Sequence, residues 1–277
     1  MRKLLITITM AGLLLTAACS SSSKTTTSSS TSSSSGAAPA FKPIKAGTLT
    51  VGTELPAPPF WIGDDYSSLT GGFEYDLSQA IAKELGLSNA TIVEMPFAGV
   101  VAGQECPCDV NFSQATITPE RSQAVDFTTP YFDADQGVLV KKGTTVKTLD
   151  DAKALQWGAQ VTTTGLDFID QKIKPTKQSQ VYNTTVDAFN ALDAGQIDAV
   201  LLDTPIVLGQ AKATPQLEVV AQFKTGDKYG GMLKKGSPNL AAINAAMAKL
   251  ESNGTFSTLL KKYFGADPAD IPTIEIN

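Results

Sequence analysis

Ser113-Gln-Ala-Thr-Ile-Thr-Pro-Glu-Arg121 is the stretch that says most about the fold and function of this chain. Thr118 before Pro119 predicts a helix start, with the threonine as N-cap and the proline at the first helical position. Arg121 then falls at the third position, where an acidic residue would complete a capping box and suit the helix dipole. An anion bound by the guanidinium group and the free N–H groups of this turn would remove the conflict, so the stretch predicts an anion site. The alternative is that Arg121 points into water or pairs with Asp126.

The N-terminus has the pattern of an export signal. Arg2 and Lys3 precede an apolar run that ends in Leu15-Thr-Ala-Ala-Cys19, and this run is short for a membrane span. A cysteine directly after small residues resembles the lipobox of bacterial lipoproteins. The resemblance implies that residues 1–18 are a signal peptide and that Cys19 becomes a first residue carrying lipid such as palmitate, which anchors the protein outside the cytoplasm. An ordinary signal peptide with a chance cysteine is the alternative.

Residues 19–46 are predicted to be a tether. Every residue from Ser20 to Ser35 is Ser or Thr except Lys24, so the segment has no apolar surface to offset the entropy of ordering it. The body that follows, from Gly47 to Gly265, is too long for one typical domain and suits two lobes of about 100 residues each. Residues 266–277 remain as a tail.

The composition excludes several classes of function. The chain has 22 basic and 27 acidic residues, and without Arg2 and Lys3 the balance is 20 against 27, so binding of nucleic acid by bulk charge is not expected. There is no histidine, which excludes Ser-His-Asp and Cys-His catalysis and every histidine metal site. Neither a Walker A loop nor a Rossmann glycine loop is present. We therefore predict no catalytic residue, no metal and no cofactor.

Short strand-like runs alternate with helical patterns along the body, which predicts α/β layers. Strands are predicted at Thr48 to Thr53, Thr91 to Met95 and Asp109 to Ser113. Helices are predicted from an N-cap at Asp76 to Gly86, from Ser237 to Asn253 and from Phe256 to Phe264, with a helical turn after Phe97. The opening stretch thus follows the carboxyl end of a strand, where open α/β sheets bind ligands.

Seven ordered segments carry a resemblance to a known family. They are Val51-Gly-Thr-Glu with Pro58-Pro-Phe60, Gly72-Phe-Glu-Tyr-Asp-Leu77, Pro96-Phe97, Thr116-Ile-Thr-Pro-Glu-Arg121, Val125-Asp-Phe127, Pro130-Tyr-Phe132 and Leu202-Asp-Thr-Pro205. Together they resemble the family 3 solute-binding proteins of bacterial ABC transporters, which capture polar amino acids.

The resemblance implies an α/β fold of the periplasmic-binding-protein type, a type II clamp of two lobes joined by two hinge strands. Lobe 1 would comprise residues 47–138 and 229–265, and lobe 2 residues 139–228. Apolar extended runs flanked by glycine and lysine place the crossings near Gly137 to Lys142 and near Lys224 to Tyr229.

The resemblance also implies which residues bind the ligand. Arg121 and the backbone of Thr116 match the grip on the α-carboxylate, and Gln114 matches a carbonyl that meets the α-amino group. Ser113 and Ala115 belong to the same segment. In lobe 2, Thr163 and Thr164 match a loop that closes on the carboxylate, with Gln160 just before it, although Thr163 could be an ordinary N-cap.

Asp203 matches the acid that binds the α-ammonium group. The alternative is a helix cap, but Thr204 before Pro205 is expected to supply that cap and to leave Asp203 free for the ligand.

The residues expected to select the ligand side chain depart in part from the family's pattern. Phe97 matches one aromatic wall of the family's pocket, but Ala57 stands where many relatives carry the other. Glu54 matches an acid that meets the side-chain nitrogen in binders of basic amino acids, whereas Leu202-Asp-Thr-Pro205 resembles the glutamine-binding branch. Trp61 could fill the space beside Ala57, but a place in the core is favoured.

Cys106-Pro-Cys108 is predicted to form a local disulfide, since export makes oxidation plausible. Two free thiols are the alternative, and a zinc site would need more ligands than remain.

The leading function is a monomeric receptor that delivers a polar amino acid to an ABC permease and its ATPase. A ligand-binding sensor and an enzyme similar to cyclohexadienyl dehydratase are the alternatives. The enzyme would need an acid in the cleft, for which Glu54 is the obvious candidate.

Overall fold

The computed structural model describes residues 39–63, 65–264 and 271–276. The predicted signal peptide, Cys19 and most of the predicted tether lie outside the described residues. Within those ranges, no helix combines the length and the apolar character needed to cross a membrane.

Strands and helices alternate through the described chain. The strands are β1 (Thr48–Thr53), β2 (Asn89–Glu94), β3 (Val110–Asn111), β4 (Val125–Phe127), β5 (Phe132–Lys141), β6 (Trp157–Gln160), β7 (Gln180–Tyr182), β8 (Ala199–Asp203), β9 (Leu217–Tyr229) and β10 (Met232–Lys234). The helices are α1 (Phe73–Glu84), α2 (Phe97–Val101), α3 (Arg121–Ala124), α4 (Leu149–Ala154), α5 (Thr164–Phe168), α6 (Thr185–Ala194), α7 (Thr204–Ala213), α8 (Leu240–Ser252) and α9 (Thr255–Phe264), with a π-helical turn at Ile169–Ile173.

The first lobe is built on a sheet with the order β2-β1-β3-β10-β4. β1 pairs in parallel with β2 and β3, whereas β10 runs antiparallel to β3 and β4. β1 is buried from Leu49 to Thr53, so it lacks the polar-out alternation of a strand that faces water on one side. Leu49 and Val51 pack in one apolar cluster with Leu77 of α1 and Ile243 of α8.

Helix α1 begins earlier than the sequence predicted, and the proposed N-cap at Asp76 is wrong. The helix starts at Phe73, directly after Gly72. Gly72 has a φ of 120°, and a Cβ there would lie 2.2 Å from the carbonyl oxygen of Phe60, so only glycine fits this close approach. Asp76 sits in the first turn and accepts hydrogen bonds from Lys262 and Tyr263.

The second lobe is built on a sheet with the order β7-β6-β8-β5-β9. β6 is parallel to β7 and β8, while β5 is antiparallel to β8 and β9. β8 is buried along its whole length, and it carries Asp203 at its carboxyl end.

Two long strands join the lobes, which makes the molecule a two-lobed clamp. β5 and β9 pair from Phe132 with Tyr229 to Lys141 with Leu217. Ala134 and Tyr229 pack in the first lobe's core, and Val138 packs in the second lobe's core. β5 therefore crosses between Ala134 and Val138, an interval that overlaps the start of the predicted stretch 137–142. Phe223 packs in the second lobe's core, so β9 crosses between Phe223 and Tyr229, as predicted. The numerical lobe borders stay a prediction.

The described end of the chain lies against the second lobe. Ile274 packs in that lobe's core, and the main chain of Gln222 in β9 bonds to Pro272 and Ile274 at 2.8 and 2.9 Å. The predicted tail therefore includes a segment docked on β9.

Candidate functional site

One cleft between the lobes gathers the predicted ligand-binding residues, apart from Ala115. The predicted residues that line it are Glu54, Ala57, Phe97, Ser113, Gln114, Thr116, Arg121, Gln160, Thr163, Thr164 and Asp203. The Ala115 side chain instead lies in a small apolar cluster with Phe97, and its carbonyl oxygen accepts a bond of 3.0 Å from Gly230. Ala115 therefore packs with Phe97, which lines the cleft, and does not line the cleft itself.

Arg121 is buried at the cleft, with only 8% of its surface exposed. Its backbone N–H donates to Thr118 Oγ1 at 3.1 Å. The predicted helix start is wrong, because α3 begins at Arg121 with Glu120 at its N-cap position, so Thr118 and Pro119 precede the helix. Asp126 pairs with Lys235 at 2.9 Å, so both alternative readings of Arg121, a partner in Asp126 and a side chain in water, are wrong.

The guanidinium group of Arg121 reaches across the cleft. One amino group donates to the carbonyl oxygen of Thr116 at 2.9 Å, and the other donates to that of Thr162 in the second lobe at 2.9 Å. The guanidinium carbon lies 5.3 Å from the ring centre of Phe97. Burial lowers the pKa of Arg121, and nearby carboxylates, Asp203 foremost, oppose that shift. A guanidinium has five N–H donors, so donors remain for a bound anion.

Asp203 faces the same cleft from the second lobe. It stands at the N-cap position of α7, but its side chain makes no capping bond. Its Oδ2 accepts from the hydroxyl group of Tyr229 at 2.6 Å, and its Oδ1 accepts from Gln136 Nε2. Burial raises the pKa of Asp203 to about 6, while the Tyr229 hydrogen bond acts in the opposite direction.

The prediction that Thr204 caps α7 is wrong. Its hydroxyl oxygen is buried and has no hydrogen-bond partner among the described residues. Asp203 is thus free of capping for a different reason, because its carboxylate is engaged by the two strands that join the lobes.

Glu54 and Gln160 form a second bridge across the cleft. Glu54 Oε1 accepts from Gln160 Nε2 at 2.7 Å, and Glu54 Oε2 accepts from the Phe97 N–H at 2.9 Å. The Gln160 amide also donates to the carbonyl oxygen of Asn183 at 3.2 Å and accepts from Thr185 at 2.6 Å. Both partners of the bridge are therefore held in place by further hydrogen bonds.

Gln114 is fixed by a buried acid beneath the cleft. It has a φ of 49°, and both its N–H and its side-chain amide donate to Glu74, at 3.0 and 2.5 Å. Glu74 also accepts from Trp61 Nε1 at 2.6 Å and from the hydroxyl group of Tyr131. Burial raises the pKa of Glu74 to about 7, although these donors act in the opposite direction. Trp61 is fully buried here, so it lies in the core and does not fill the space beside Ala57.

Thr163 is both an N-cap and a lining residue. Its hydroxyl oxygen accepts from the Leu166 N–H at 3.2 Å and donates to the carbonyl oxygen of Gln160 at 2.7 Å. The ordinary capping role weighed from the sequence is therefore real, and it places Thr164 at the cleft beside it.

Several lining residues were missed by the sequence analysis: Leu55, Pro56, Thr184, Thr185, Val186, Leu202 and Ile206. Thr184 caps α6 by accepting from the Asp187 N–H at 3.1 Å, so a Thr-Thr pair opens this helix as it does at Thr163. That repeated pattern was the available signal. Gln136, Tyr229 and Glu74 had no local signal, because each acts through a partner distant in sequence.

Cys106 and Cys108 are joined by a disulfide bond. Cys106 packs against the same small cluster that holds Phe97 and Ala115. The bond therefore lies in a loop behind one wall of the cleft. Within the described residues, no group of three or more Cys, Asp and Glu side chains is arranged to hold a metal ion.

The amino-acid sequence matches a known protein family. The model of the bacterial extracellular solute-binding proteins, family 3, matches residues 49–266. This chain belongs to that family. The family assignment agrees with the two-lobed clamp and with a place outside the cytoplasm.

Individual family 3 relatives bind different amino acids. The L-cystine-binding protein TcyJ of Escherichia coli K12 is 35% identical over 226 residues, which cover 80% of this chain and 84% of that protein. The ABC transporter glutamine-binding protein GlnH of Bacillus subtilis 168 is 32% identical, over 72% of this chain and 74% of that protein. A solved structure of an ancestral arginine-binding protein bound to glutamine has a TM-score of 0.73 at 35% identity, covering 80% of this chain and 100% of that one.

Proposed function

We propose that this protein is the substrate-binding lipoprotein of an ABC importer and that it captures a polar L-amino acid, glutamine-like or basic, between its two lobes. The observation that carries the proposal is the placement of Arg121 and Asp203 on opposite lobes of one cleft. An α-amino acid carries a carboxylate and an ammonium group on the same carbon atom, and this pair of side chains offers the complementary charges.

The contacts of Arg121 support a carboxylate-binding role. Its two bonds to main-chain carbonyls fix the plane of the guanidinium group, and no carboxylate of the described residues forms a salt bridge with it. A buried guanidinium without a bonded anion favours binding of an anionic ligand group, since a charge-assisted bidentate pair then compensates its desolvation.

The ligand side chain would lie near Glu54, Ala57 and Phe97. Glu54 is an acid without a salt-bridge partner among the described residues, which favours a basic side chain, but its bonds to Gln160 and Phe97 also suit a neutral amide ligand. The named relatives bind cystine, glutamine or arginine, so they support a polar amino acid without selecting one.

The remaining parts of the proposal concern location and partners. The Leu15 to Cys19 pattern supports lipidation at Cys19, and residues 19–46 would then tether a monomeric body near the membrane. The family and its relatives support delivery of the ligand to a permease and its ATPase.

An enzyme remains the alternative function on this scaffold. A solved ancestral amino acid-binding protein, described as a precursor of cyclohexadienyl dehydratase, is 32% identical with a TM-score of 0.69. The acid that such chemistry would require was assigned to Glu54, and both of its oxygens already accept hydrogen bonds, which favours binding over catalysis.

A thermal-shift screen of the free L-amino acids and cystine tests the proposal. A ligand at 100 times its dissociation constant adds about 2.7 kcal/mol of stability, which is easily measured. We expect one polar amino acid or a small group of them to raise the melting temperature of the wild type and not that of Arg121→Ala. If no amino acid stabilises the wild type, or if prephenate or arogenate is converted, the proposal is wrong.

A further inference from the structure

Asp203 is held by both strands that join the lobes. Gln136 of β5 donates to one carboxylate oxygen, and Tyr229, the last residue of β9, donates to the other at 2.6 Å. The β5–β8 register places Gln136 directly opposite Asp203. An ionised carboxylate has about four lone-pair positions, so each oxygen keeps capacity for a ligand in the cleft.

Tyr229 belongs to the opposite lobe from the acid that it contacts. Its side chain is fully buried in the first lobe's core, with its ring centre 5.7 Å from that of Phe60 and 5.5 Å from that of Phe132, the latter ring stacked on it. This packing fixes the ring. The position of the hydroxyl group is therefore set by the first lobe, whereas Asp203 belongs to the second.

The main chain of Tyr229 touches the other end of the predicted grip. Tyr229 forms a β-bridge with Thr116, and on either side Ile117 bonds to Lys228 at 2.9 Å and Gly230 bonds to Ala115 at 3.0 Å. Thr116 is the residue whose carbonyl oxygen holds Arg121. Tyr229 thus contacts both the segment predicted to bind the ligand carboxylate and the acid predicted to bind the ligand ammonium group.

We propose that Tyr229 is a positioning residue for ligand binding, whose hydroxyl group orients Asp203 from the opposite lobe and favours its charged form for an ammonium group. The inference rests on the proposed function, because it requires a ligand that carries an ammonium group. The role follows from a contact between the lobes.

The charges around Asp203 determine the direction of the effect. Burial and Asp227 of β9 raise the pKa of Asp203, whereas Tyr229, Gln136 and Arg121 lower it. Tyr131 is a further titratable neighbour, and Asp203 contributes to raising its pKa. Loss of the Tyr229 hydroxyl group would therefore raise the pKa of Asp203 further, so that less of it is ionised near pH 6.

The test uses Tyr229→Phe, which keeps the packed ring and removes only the hydroxyl group. Tyr263→Phe is a matched control, because the Tyr263 hydroxyl donates to Asp76 Oδ2 at the same 2.6 Å but lies outside the cleft. Asp203 is titrated by carbon-13 carboxyl NMR in the unliganded mature protein, with its signal assigned from Asp203→Asn. Calorimetry then measures the affinity for the screened amino acid from pH 5 to 8.

We expect Tyr229→Phe to move the Asp203 titration to higher pH by about one pH unit, and to weaken binding about fivefold at pH 6 and about tenfold at pH 5. The loss should shrink toward pH 8, where Asp203 is ionised in both proteins, and Tyr263→Phe should change neither measurement. A purely structural role would weaken binding equally at every pH. Should Tyr229→Phe fold poorly, 3-fluorotyrosine at position 229, a stronger donor on the same ring, is expected to move the titration to lower pH.

Three results separate failure of the inference from failure of the proposed function. An unchanged Asp203 titration in folded Tyr229→Phe overturns the inference. A shifted titration with an unchanged affinity profile overturns the role of Tyr229 in binding. A wild type that binds no amino acid overturns the proposed function and, with it, the role in recognition, while the carboxyl titration still decides the Tyr229–Asp203 pairing.

Discussion

Gln160 in the second lobe donates its side-chain amide to the Glu54 carboxylate in the first lobe, with 2.7 Å between nitrogen and oxygen. Asn183 and Thr185 hold the Gln160 amide, and the Phe97 N–H holds the other Glu54 oxygen. Because both groups are ordered by these contacts, the bridge costs little side-chain entropy when the lobes meet. We therefore expect it to stabilise the closed clamp.

The first prediction separates this bridge from a role of Glu54 in selectivity. Gln160→Ala removes the bridge and should lower the affinity for every ligand by a similar factor. That factor is about tenfold to a hundredfold, because a hydrogen bond to a charged group contributes about 1.5 to 3 kcal/mol. Glu54→Gln should lower the affinity for glutamine by that same factor. If Glu54 also contacts a side-chain cation, the affinity for arginine should fall considerably more. Calorimetry of both variants with both ligands gives the four values. Equal losses for arginine and glutamine in Glu54→Gln would rule out a basic subsite at Glu54.

The second prediction concerns Arg121. Truncation to Ala leaves a ligand carboxylate buried and unpaired, which should cost about 2 to 5 kcal/mol. At 1.4 kcal/mol per decade, binding should weaken about 30-fold to several thousandfold. Arg121→Lys should rescue binding only in part, because a point charge cannot reproduce the bidentate fork.

Asp126→Asn is the matched control for Arg121, since Asp126 lies in the next strand and pairs with Lys235 outside the cleft. We expect the affinity of Asp126→Asn for the ligand to stay within about a factor of two of the wild-type value, because exposed ion pairs contribute only about 0 to 1 kcal/mol to stability. Titration calorimetry on folded samples decides the matter, and wild-type affinity in Arg121→Ala would show that the ligand lies elsewhere.

The third prediction concerns stability and pH at Glu74. Its folded pKa of about 7 lies above its ordinary value of 4.5, so its contribution to stability is complete below about pH 4.5 and is lost as pH rises through 7. The corresponding change is about 3 kcal/mol across that range, as an order of magnitude. Glu74→Gln removes this titratable group. Its side-chain NH2 group would also face the groups that now donate hydrogen bonds to Glu74. The variant should therefore be less stable than wild type near pH 5, with the difference shrinking toward pH 8.

Urea unfolding at several pH values measures the difference, and Glu251→Gln, an exposed acid on α8, serves as the control. We expect the control to follow the wild-type pH dependence. A constant difference between Glu74→Gln and wild type at every pH would mean that Glu74 stays ionised throughout.

The fourth prediction concerns Cys19. If Cys19 carries the lipid anchor, Cys19→Ser should move the protein from the membrane fraction to a soluble extracytoplasmic fraction without changing ligand affinity. Fractionation and immunoblotting of cells that express each form provide the measurement. Retention of the serine variant on the membrane would contradict lipidation at this residue.

Features that depend on neighbours along the chain were predictable from the amino-acid sequence. The strand Thr48–Thr53 was predicted at its observed bounds, because a short apolar alternation is itself the strand signal. The hydrogen bond from the Arg121 N–H to Thr118 spans three residues, and the Thr-Pro pair is visible in the sequence, although the helix begins two residues later than that pair predicts. The family segments likewise pointed to Arg121 and Asp203, and both line the cleft.

The groups that surround those residues depend on contacts between distant parts of the chain. Asp203 meets Gln136 across 67 positions and Tyr229 across 26, and Gln114 meets Glu74 across 40. Such partners depend on how two sheets are ordered and joined, which local patterns do not encode. The start of α1 was set in the same way, by the close approach of Gly72 to Phe60, and not by the capping preference of Asp76. Contacts between distant segments outweigh local propensity where the chain is tightly packed, because burial of apolar surface and pairing of buried polar groups contribute more free energy than a single cap.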